Sequence, residues 1–260
     1  MKKSAAPVKA ARKKATDPGS FHPAFPELKS GKLGVVFGKD ERREVLPATM
    51  SMEPFSAICK VRATFPRGDQ DGNIRIGTAW FVSPEVLLTA GHVVYQKHLG
   101  GAPSKLEIWS PALNKWQLAA NATWTSDWEK YGKDKPERDF GAIKASTPSA
   151  SYFTLETQND SELRDCCLTV CGYPGDLQPP APARPKMYGA TSRGCRPAPE
   201  VLNYPVDTKP GESGGPVFMM AGSTAIGVAI HNYGEKNVTN SGTRITPAVL
   251  KEIEAWIRTL

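Results

Sequence analysis

The segment Gly211–Pro216, GESGGP, places a serine among glycines immediately before an apolar run, VFMM. A serine hydroxyl is a weak nucleophile, so a hydrolase must hold it beside a base and offer backbone N–H groups to the developing oxyanion. Gly211 has no side chain to restrict its backbone, so its N–H can turn toward the same point as the N–H of Ser213. A lone SGGP is more often an ordinary turn, and the interpretation of Ser213 as a nucleophile therefore depends on partners elsewhere in the chain.

A histidine and an aspartate upstream supply such partners. His92 follows an apolar strand pattern in the turn TAGH, and Asp139 begins the largely apolar segment DFGAIK. A buried aspartate at that place would fix the histidine tautomer and stabilise the imidazolium that forms when the base takes the serine proton. Asp127 and Asp134 compete for this role, but they lie in the polar segment DWEKYGKDKPE, where we expect them to be solvated. We therefore predict a catalytic triad of His92, Asp139 and Ser213.

The elements that must position these residues are mainly short strands. From about residue 45 onward, apolar β-type runs alternate with Gly, Pro, Asn and Asp turns at roughly 8–12-residue spacing, which is typical of an all-β barrel or sandwich. One segment, PAVLKEIEAWIRTL, starts with a proline and has apolar residues along one face, so it predicts a C-terminal helix. The predicted strands are SAICKVRATF, GTAWFVS, EVLLTA, KLEIWS, DFGAIKA, CLTVCGY, GGPVFMM and STAIGVAIH.

Small and polar residues at positions 146–160 suggest a boundary between two β units. We expect residues 35–150 to form the first unit, with His92 and Asp139, and residues 151–260 to form the second, with Ser213 and the terminal helix. The catalytic site would then lie in the cleft between the two units.

The three motifs, in the order TAGH, DFGAIK and GESGGP, resemble those of chymotrypsin-fold serine proteases. DERREVLPATMSMEPFSAI, VCGYPGD and IGVAIH further resemble the glutamyl endopeptidase branch, and the similarity covers about residues 35–258. The resemblance implies two six-stranded antiparallel β-barrels, peptide-bond hydrolysis through an acyl-enzyme, and no cofactor or metal. His92 would be the general base and then the acid, Asp139 its orienting partner and Ser213 the nucleophile, with the N–H groups of Gly211 and Ser213 as the oxyanion hole. Val93 replaces the cysteine that follows this histidine in many animal enzymes.

Two interpretations of substrate specificity compete. In glutamyl endopeptidases, a threonine and a histidine at places matching Thr208 and His231 bind the carboxylate of a substrate glutamate, to which a hydroxyl and an imidazole can donate. Asp207, however, lies six residues before Ser213, where ungapped counting puts the pocket acid of trypsin-type enzymes; an acid there favours Arg or Lys and repels Glu. We favour cleavage after Glu or Asp, because His231 and the additional motifs agree. A strand-end histidine without a ligand is the plainer alternative for His231.

Charge is concentrated at the N-terminus. Residues 1–34 hold eight basic and two acidic residues, against 25 and 24 in the remainder, within a net charge of +7. This tail has few apolar residues to bury, so we expect it to be disordered. We expect no nucleic-acid partner for the body, no membrane span, and a monomer acting on protein or peptide substrates. The alternative is that the Lys-rich tail, residues 1–34, binds nucleic acid.

The N-terminal segment bears on processing and on the compartment of the protein. Residues 34–42 resemble the region around the mature start of the glutamyl branch, so the tail would be a propeptide; a plain extension is the alternative. The resemblance suggests secretion, but no apolar central run typical of a secretory signal follows the basic start. Five cysteines give no zinc pattern and no assignable disulfide. The functional alternatives are an HtrA-like protease core, which shares the order His, Asp and SGG, and a pseudoprotease that acts as a binding module.

Overall fold

The computed structural model describes residues 40–68, 73–235 and 239–260. The predicted basic tail, and with it most of the proposed processing region, lies outside these ranges. The strands are β1 (Arg43–Val45), β2 (Ile58–Thr64), β3 (Ile74–Phe81), β4 (Val86–Thr89), β5 (Lys105–Ser110), β6 (Lys115–Trp124), β7 (Gly141–Ala145), β8 (Thr154–Leu155), β9 (Leu168–Gly172), β10 (Met187–Ser192), β11 (Arg196–Pro197), β12 (Val201–Tyr204), β13 (Pro216–Ala221), β14 (Thr224–Glu235) and β15 (Thr239–Arg244). The helices are α1 (Pro47–Met50), α2 (Gly91–Val94), α3 (Ser126–Tyr131), α4 (Asp160–Asp165) and α5 (Pro247–Thr259).

Strands β2 to β7 form a closed antiparallel barrel in the order β2-β3-β4-β7-β6-β5. Side chains alternate along β2, where Cys59, Val61 and Ala63 are buried while Lys60 and Arg62 are only partly covered. This period of two is the pattern that fills one face of a strand against a core. Closure by the β2–β5 pair leaves the barrel without an open edge.

The remaining strands form a second sheet of nine strands. Eight follow the order β1-β10-β9-β13-β14-β15-β12-β11, and β8 pairs in parallel with β14. Register shifts interrupt β13 between Val217 and Phe218, and β14 between His231 and Tyr233. A β-bulge bends the strand and re-aims the following side chain, so the second shift influences where Tyr233 points.

The first and last elements each cross to the other half of the molecule. Strand β1 precedes the barrel in sequence but pairs with β10, with Arg43 opposite Gly189. Helix α5 follows the second sheet but buries Val249 and Ile253 in the core that contains the barrel residues. The Trp256 ring lies 5.3 Å from that of Phe140, centroid to centroid.

The predicted all-β architecture with a C-terminal helix is confirmed. The first barrel has the expected six strands, whereas the second unit has nine, because the short strands β1 and β11 add to the two ends of the sheet and β8 pairs with β14. Residues 43–45, which we placed with the first unit, pair in the second sheet. Within the described ranges, no helix is long and apolar enough to cross a membrane.

Candidate active site

Two neighbouring barrel strands bring His92 and Asp139 together. His92 lies in α2, directly after β4, and Asp139 lies just before β7. Strands β4 and β7 are paired, with Thr89 opposite Gly141, so the end of one strand meets the start of the other. Ser213 lies in the loop before β13 of the second sheet. The cleft between barrel and sheet is lined by both His92 and Ser213 and has a volume of about 1140 Å³.

Asp139 holds His92 through both carboxylate oxygens. The Nδ1 atom of His92 lies 2.7 Å from Oδ2, and the His92 backbone N–H donates to Oδ1 at 2.7 Å. The Asp139 side chain is fully buried, whereas that of His92 is 25% exposed at the cleft. A buried carboxylate with two contacts to one residue fixes both the ring orientation and the tautomer that carries its proton on Nδ1.

A tyrosine adds a third contact to this carboxylate. The Tyr233 hydroxyl donates to Oδ2 of Asp139. Burial, together with the charge of Asp139, raises the pKa of Tyr233 well above its usual value, so the hydroxyl keeps its proton. The His92 ring centroid lies 5.9 Å from that of Tyr233 and 6.3 Å from that of Trp128. Because Asp139 occupies Nδ1 and His92 lines the cleft, Nε2 is the ring nitrogen that remains for the cleft.

The loop before β13 presents two backbone donors. Among the described residues, the N–H groups of Gly211 and Ser213 have no acceptor, while the intervening Glu212 N–H donates to the Lys209 carbonyl at 3.1 Å. Gly211 has φ +104°, and a Cβ there would lie 2.4 Å from the Tyr173 carbonyl oxygen, so the position requires glycine. The Ser213 hydroxyl donates to the Asn232 carbonyl at 3.5 Å.

Thr78 of β3 fastens this loop to the barrel. Its backbone N–H donates to the Ser213 carbonyl at 2.8 Å, and its hydroxyl donates to the Gly211 carbonyl at 2.9 Å. The same hydroxyl accepts from the Tyr173 N–H at 3.1 Å. Because Thr78 is fully buried, these bonds do not compete with solvent. Both residues that present the free N–H groups are thus held through their carbonyls.

Glu212, between the two donors, is buried beside Arg42. Its Oε2 accepts from the Lys209 N–H at 2.7 Å and lies 3.7 Å from Nη1 of Arg42, whose side chain is 1% exposed. Arg42 also contacts Asp40 and Asp176, at 2.7 and 2.8 Å. Burial raises the pKa of Glu212 to about 8, because the Arg42 charge offsets only part of the cost of desolvating the carboxylate. This network ties the segment before β1 to the Ser213 loop.

The residues considered for specificity separate into two groups. Thr208 and His231 both line the cleft. The buried His231 ring has its Nδ1 atom 2.7 Å from the Tyr204 hydroxyl, and burial lowers its pKa to about 3, so the imidazole is neutral at neutral pH. Asp207 is buried, does not line the cleft, and accepts the Glu41 N–H on Oδ2 at 2.8 Å.

Three residues of this site were not predicted from the sequence. Tyr233 gives no motif, because its position depends on the bulge in β14. Thr78 reads as an ordinary residue of an apolar strand, although a hydroxyl in such a run is a signal of a buried hydrogen bond. Arg42 lies in a charged segment, DERRE, where a solvated side chain is the usual expectation.

The fold and site define a two-sheet hydrolase with a histidine, a buried aspartate and a serine at one cleft. The family model of the trypsin-like peptidase domain matches residues 77–228. The chain belongs to this family, and the protein is a serine-type endopeptidase that acts on protein or peptide substrates. The resemblance seen in the sequence motifs is thereby confirmed.

Relatives support the same family. Glutamyl endopeptidase of Bacillus licheniformis is 27% identical over 235 residues, which cover 85% of this chain and 68% of the relative. A protein of Bacillus subtilis named extracellular metalloprotease is 27% identical over 239 residues, covering 85% and 69%. A solved structure of a Glu endopeptidase in complex with MPD has a TM-score of 0.70 at 23% identity and covers 85% of this chain and 99% of its own. Within the described ranges, no three or more His, Cys, Asp or Glu residues are grouped to hold a metal ion.

Proposed function

We propose that the protein hydrolyses peptide bonds with His92, Asp139 and Ser213 as its catalytic triad. The observation that carries this proposal is the double contact between the buried Asp139 carboxylate and His92, at the cleft that Ser213 also lines. His92 Nε2 takes the proton of the Ser213 hydroxyl as Oγ attacks the scissile carbonyl carbon. The Asp139 carboxylate stabilises the imidazolium that results and keeps its own charge.

The two free N–H groups stabilise the tetrahedral intermediate that this attack produces. The tetrahedral oxyanion accepts from Gly211 and Ser213, whose N–H groups need no reorganisation because both carbonyls are already held by Thr78. His92 then donates its proton to the departing amine, which leaves an acyl-enzyme on Ser213. A water molecule, activated by the same imidazole, releases the acid and restores the serine. The Ser213 hydroxyl must first rotate from the Asn232 carbonyl toward His92, as is common for unliganded sites.

We further propose that the enzyme prefers Glu or Asp before the scissile bond. Thr208 and His231 line the cleft with a hydroxyl and a neutral imidazole. The hydroxyl can donate to a carboxylate, and so can Nε2–H of His231 in the tautomer whose Nδ1 accepts from the Tyr204 hydroxyl. Asp207, the residue that would favour Arg or Lys, is occupied by the Glu41 N–H and does not line the cleft. Because the His231 imidazole is neutral, recognition of Glu would rest on hydrogen bonds and not on a histidine charge that titrates near neutral pH.

Labelling with a serine-directed organophosphonate tests the nucleophile. We expect wild type to be labelled and Ser213→Ala not to be, and equal labelling of both would refute the triad. Peptides that differ only in Glu, Gln or Arg before the scissile bond test the specificity. We expect kcat/KM to be highest for Glu; a higher value for Arg would refute the pocket assignment.

Variants separate the two pocket interpretations. Thr208→Val removes one donor to the substrate carboxylate, so the Glu-over-Gln ratio of kcat/KM should fall about tenfold. The matched variant Asp207→Asn should leave this ratio within about twofold, because that carboxylate does not line the cleft. A gain of Glu cleavage at the expense of Arg cleavage in Asp207→Asn would favour the trypsin-like interpretation.

A further inference from the structure

Four exposed lysines line the rim of the catalytic cleft. Lys97, Lys130, Lys133 and Lys209 all line the cleft and are all exposed. In the described part of the chain, none of the four has a carboxylate within 4.0 Å. Among the described lysines outside the cleft, some form such pairs and some do not: Lys105, Lys135, Lys144 and Lys186 do, and Lys60, Lys115 and Lys251 do not. Lys209 lies close enough to Asp40 and Asp176 to help lower the pKa of both carboxyls, and Lys130 does the same for Asp127. These longer-range interactions offset part of the lysine charge, so the cleft carries positive charge that the protein compensates only in part.

These lysines come from three separate segments around the catalytic residues. Lys97 follows the helix that carries His92, Lys130 lies in α3 with Lys133 just after it, and Lys209 precedes the Ser213 loop. Glu129 is the one carboxylate among the lining residues, so the four lysines outnumber the acidic side chains of the cleft. A chain lying along the cleft would thus pass cations from several sides.

The cleft is also larger than one side chain requires. Its volume of about 1140 Å³ exceeds the usual upper range of small-ligand pockets, roughly 1,000 Å³. The space accommodates several residues around the scissile bond. A cleft of one charge with low-dielectric walls focuses the field and raises the local concentration of oppositely charged substrate.

We propose that the preferred substrates are acidic segments, in which further Asp or Glu residues flank the cleaved bond and pair with Lys97, Lys130, Lys133 and Lys209. The proposal rests on the proposed function in that this cleft is the peptide-binding site. It differs from the preference assigned to Thr208 and His231, which concerns only the residue before the scissile bond. Exposed ion pairs are weak, so each flanking acid should raise kcat/KM by about two- to fivefold at low ionic strength.

A factorial peptide panel tests this and keeps the two proposals apart. One factor is Glu or Gln before the scissile bond, and the other is Asp or Asn at flanking positions on either side. We expect the Asp-over-Asn ratio of kcat/KM to exceed one with either Glu or Gln, and to fall toward one in about 1 M salt, where the Debye length is roughly 3 Å. A ratio of one at low salt overturns the inference, whereas Glu and Gln peptides of equal rate would refute only the pocket assignment.

Charge-neutral variants connect the effect to the named lysines. Lys130→Gln with Lys133→Gln should reduce the Asp-over-Asn ratio of kcat/KM at least twofold. Lys251→Gln, on an exposed position of α5 outside the cleft, is the matched control and should leave the ratio as in wild type. An equal change in the two variants would overturn the assignment. Inhibition by a single-stranded oligonucleotide and by an oligo-aspartate peptide of equal charge is a second test, and far stronger inhibition by the oligonucleotide would also overturn it.

Discussion

Thr78 has a larger role in this protein than its place in an apolar strand indicates. Its hydroxyl bridges the Gly211 carbonyl and the Tyr173 N–H, both inside the protein. Removing one partner of a buried hydrogen bond leaves the other group desolvated and unpaired, at a cost of about 1–3 kcal/mol. Loss of the bond to the Gly211 carbonyl would also let the Gly211 N–H, which we assign to the oxyanion hole, move from its position.

We predict that Thr78→Val lowers kcat by about tenfold with a smaller change in KM, because the Gly211 carbonyl loses its hydroxyl partner while the backbone N–H of residue 78 still holds Ser213. Steady-state kinetics on a Glu peptide measures this. Thr78→Ser keeps the hydroxyl and should recover most of kcat. A valine variant with lower thermal stability but wild-type kcat would show that Thr78 has only a structural role.

Glu212 predicts a specific pH dependence of stability. Its pKa of about 8 lies above the ordinary value of 4.5, so the folded state binds this proton more tightly than the unfolded state. The resulting stabilisation is complete below about pH 4.5 and is lost as pH rises toward 8, with a slope of at most about 1.4 kcal/mol per pH unit. Glu212→Gln should therefore gain stability relative to wild type between pH 5 and pH 8. Parallel curves from denaturant unfolding at several pH values would contradict this.

Helix α5 depends on a side-chain cap at its start. The Thr246 hydroxyl accepts the Val249 N–H at 3.3 Å, and Pro247 begins the helix. We predict that Thr246→Ala lowers the free energy of unfolding by about 1 kcal/mol, the usual cost of losing such a cap. Thr246→Ser keeps an acceptor and should lose much less. Urea unfolding at pH 7 measures both, and an unchanged midpoint in Thr246→Ala would mean that packing alone holds the helix.

Strands with a clear apolar pattern were predictable from the sequence. The segments KLEIWS, EVLLTA and PAVLKEIEAWIRTL correspond to β5, β4 and α5. Strand β15, with the sequence TNSGTR, gives no such signal, because its short polar residues are held by backbone pairing to β14 and β12. Strand β1 has three residues and exists only through its pairing with β10. Long-range pairing of this kind has no local period from which to infer it.

The site divides in the same way. His92, Asp139 and Ser213 each lie in a recognisable local motif. The glycine at position 211 indicates a backbone conformation that other residues rarely adopt. Tyr233 and Thr78 act through contacts 94 and 133 residues away in sequence, to Asp139 and Gly211. Such contacts arise only when the barrel and the sheet pack together, so no spacing within one segment reveals them.

At the scale of the whole molecule, the shared core predicts one unfolding transition. Ile253 of α5 is fully buried in a cluster that contains residues of the barrel and of the second sheet. Ile253→Ala should cost about 2–5 kcal/mol and shift the loss of activity and of tryptophan fluorescence to the same lower temperature. Two separated transitions in either protein would mean that the halves unfold independently.

The crossed ends of the described chain also restrict how the cleft can change shape. Strand β1, which precedes the barrel in the chain, pairs with the second sheet, and α5, which follows the second sheet, packs on the barrel. Each half is therefore connected to the other by a terminal element. A hinge opening of the cleft would have to break the pairing of β1 with β10 or expose the buried face of α5. We therefore expect adjustment to different substrates to occur mainly in the segments that border the cleft, at residues 126–134 and 205–210, and less by a change in the spacing of the two halves.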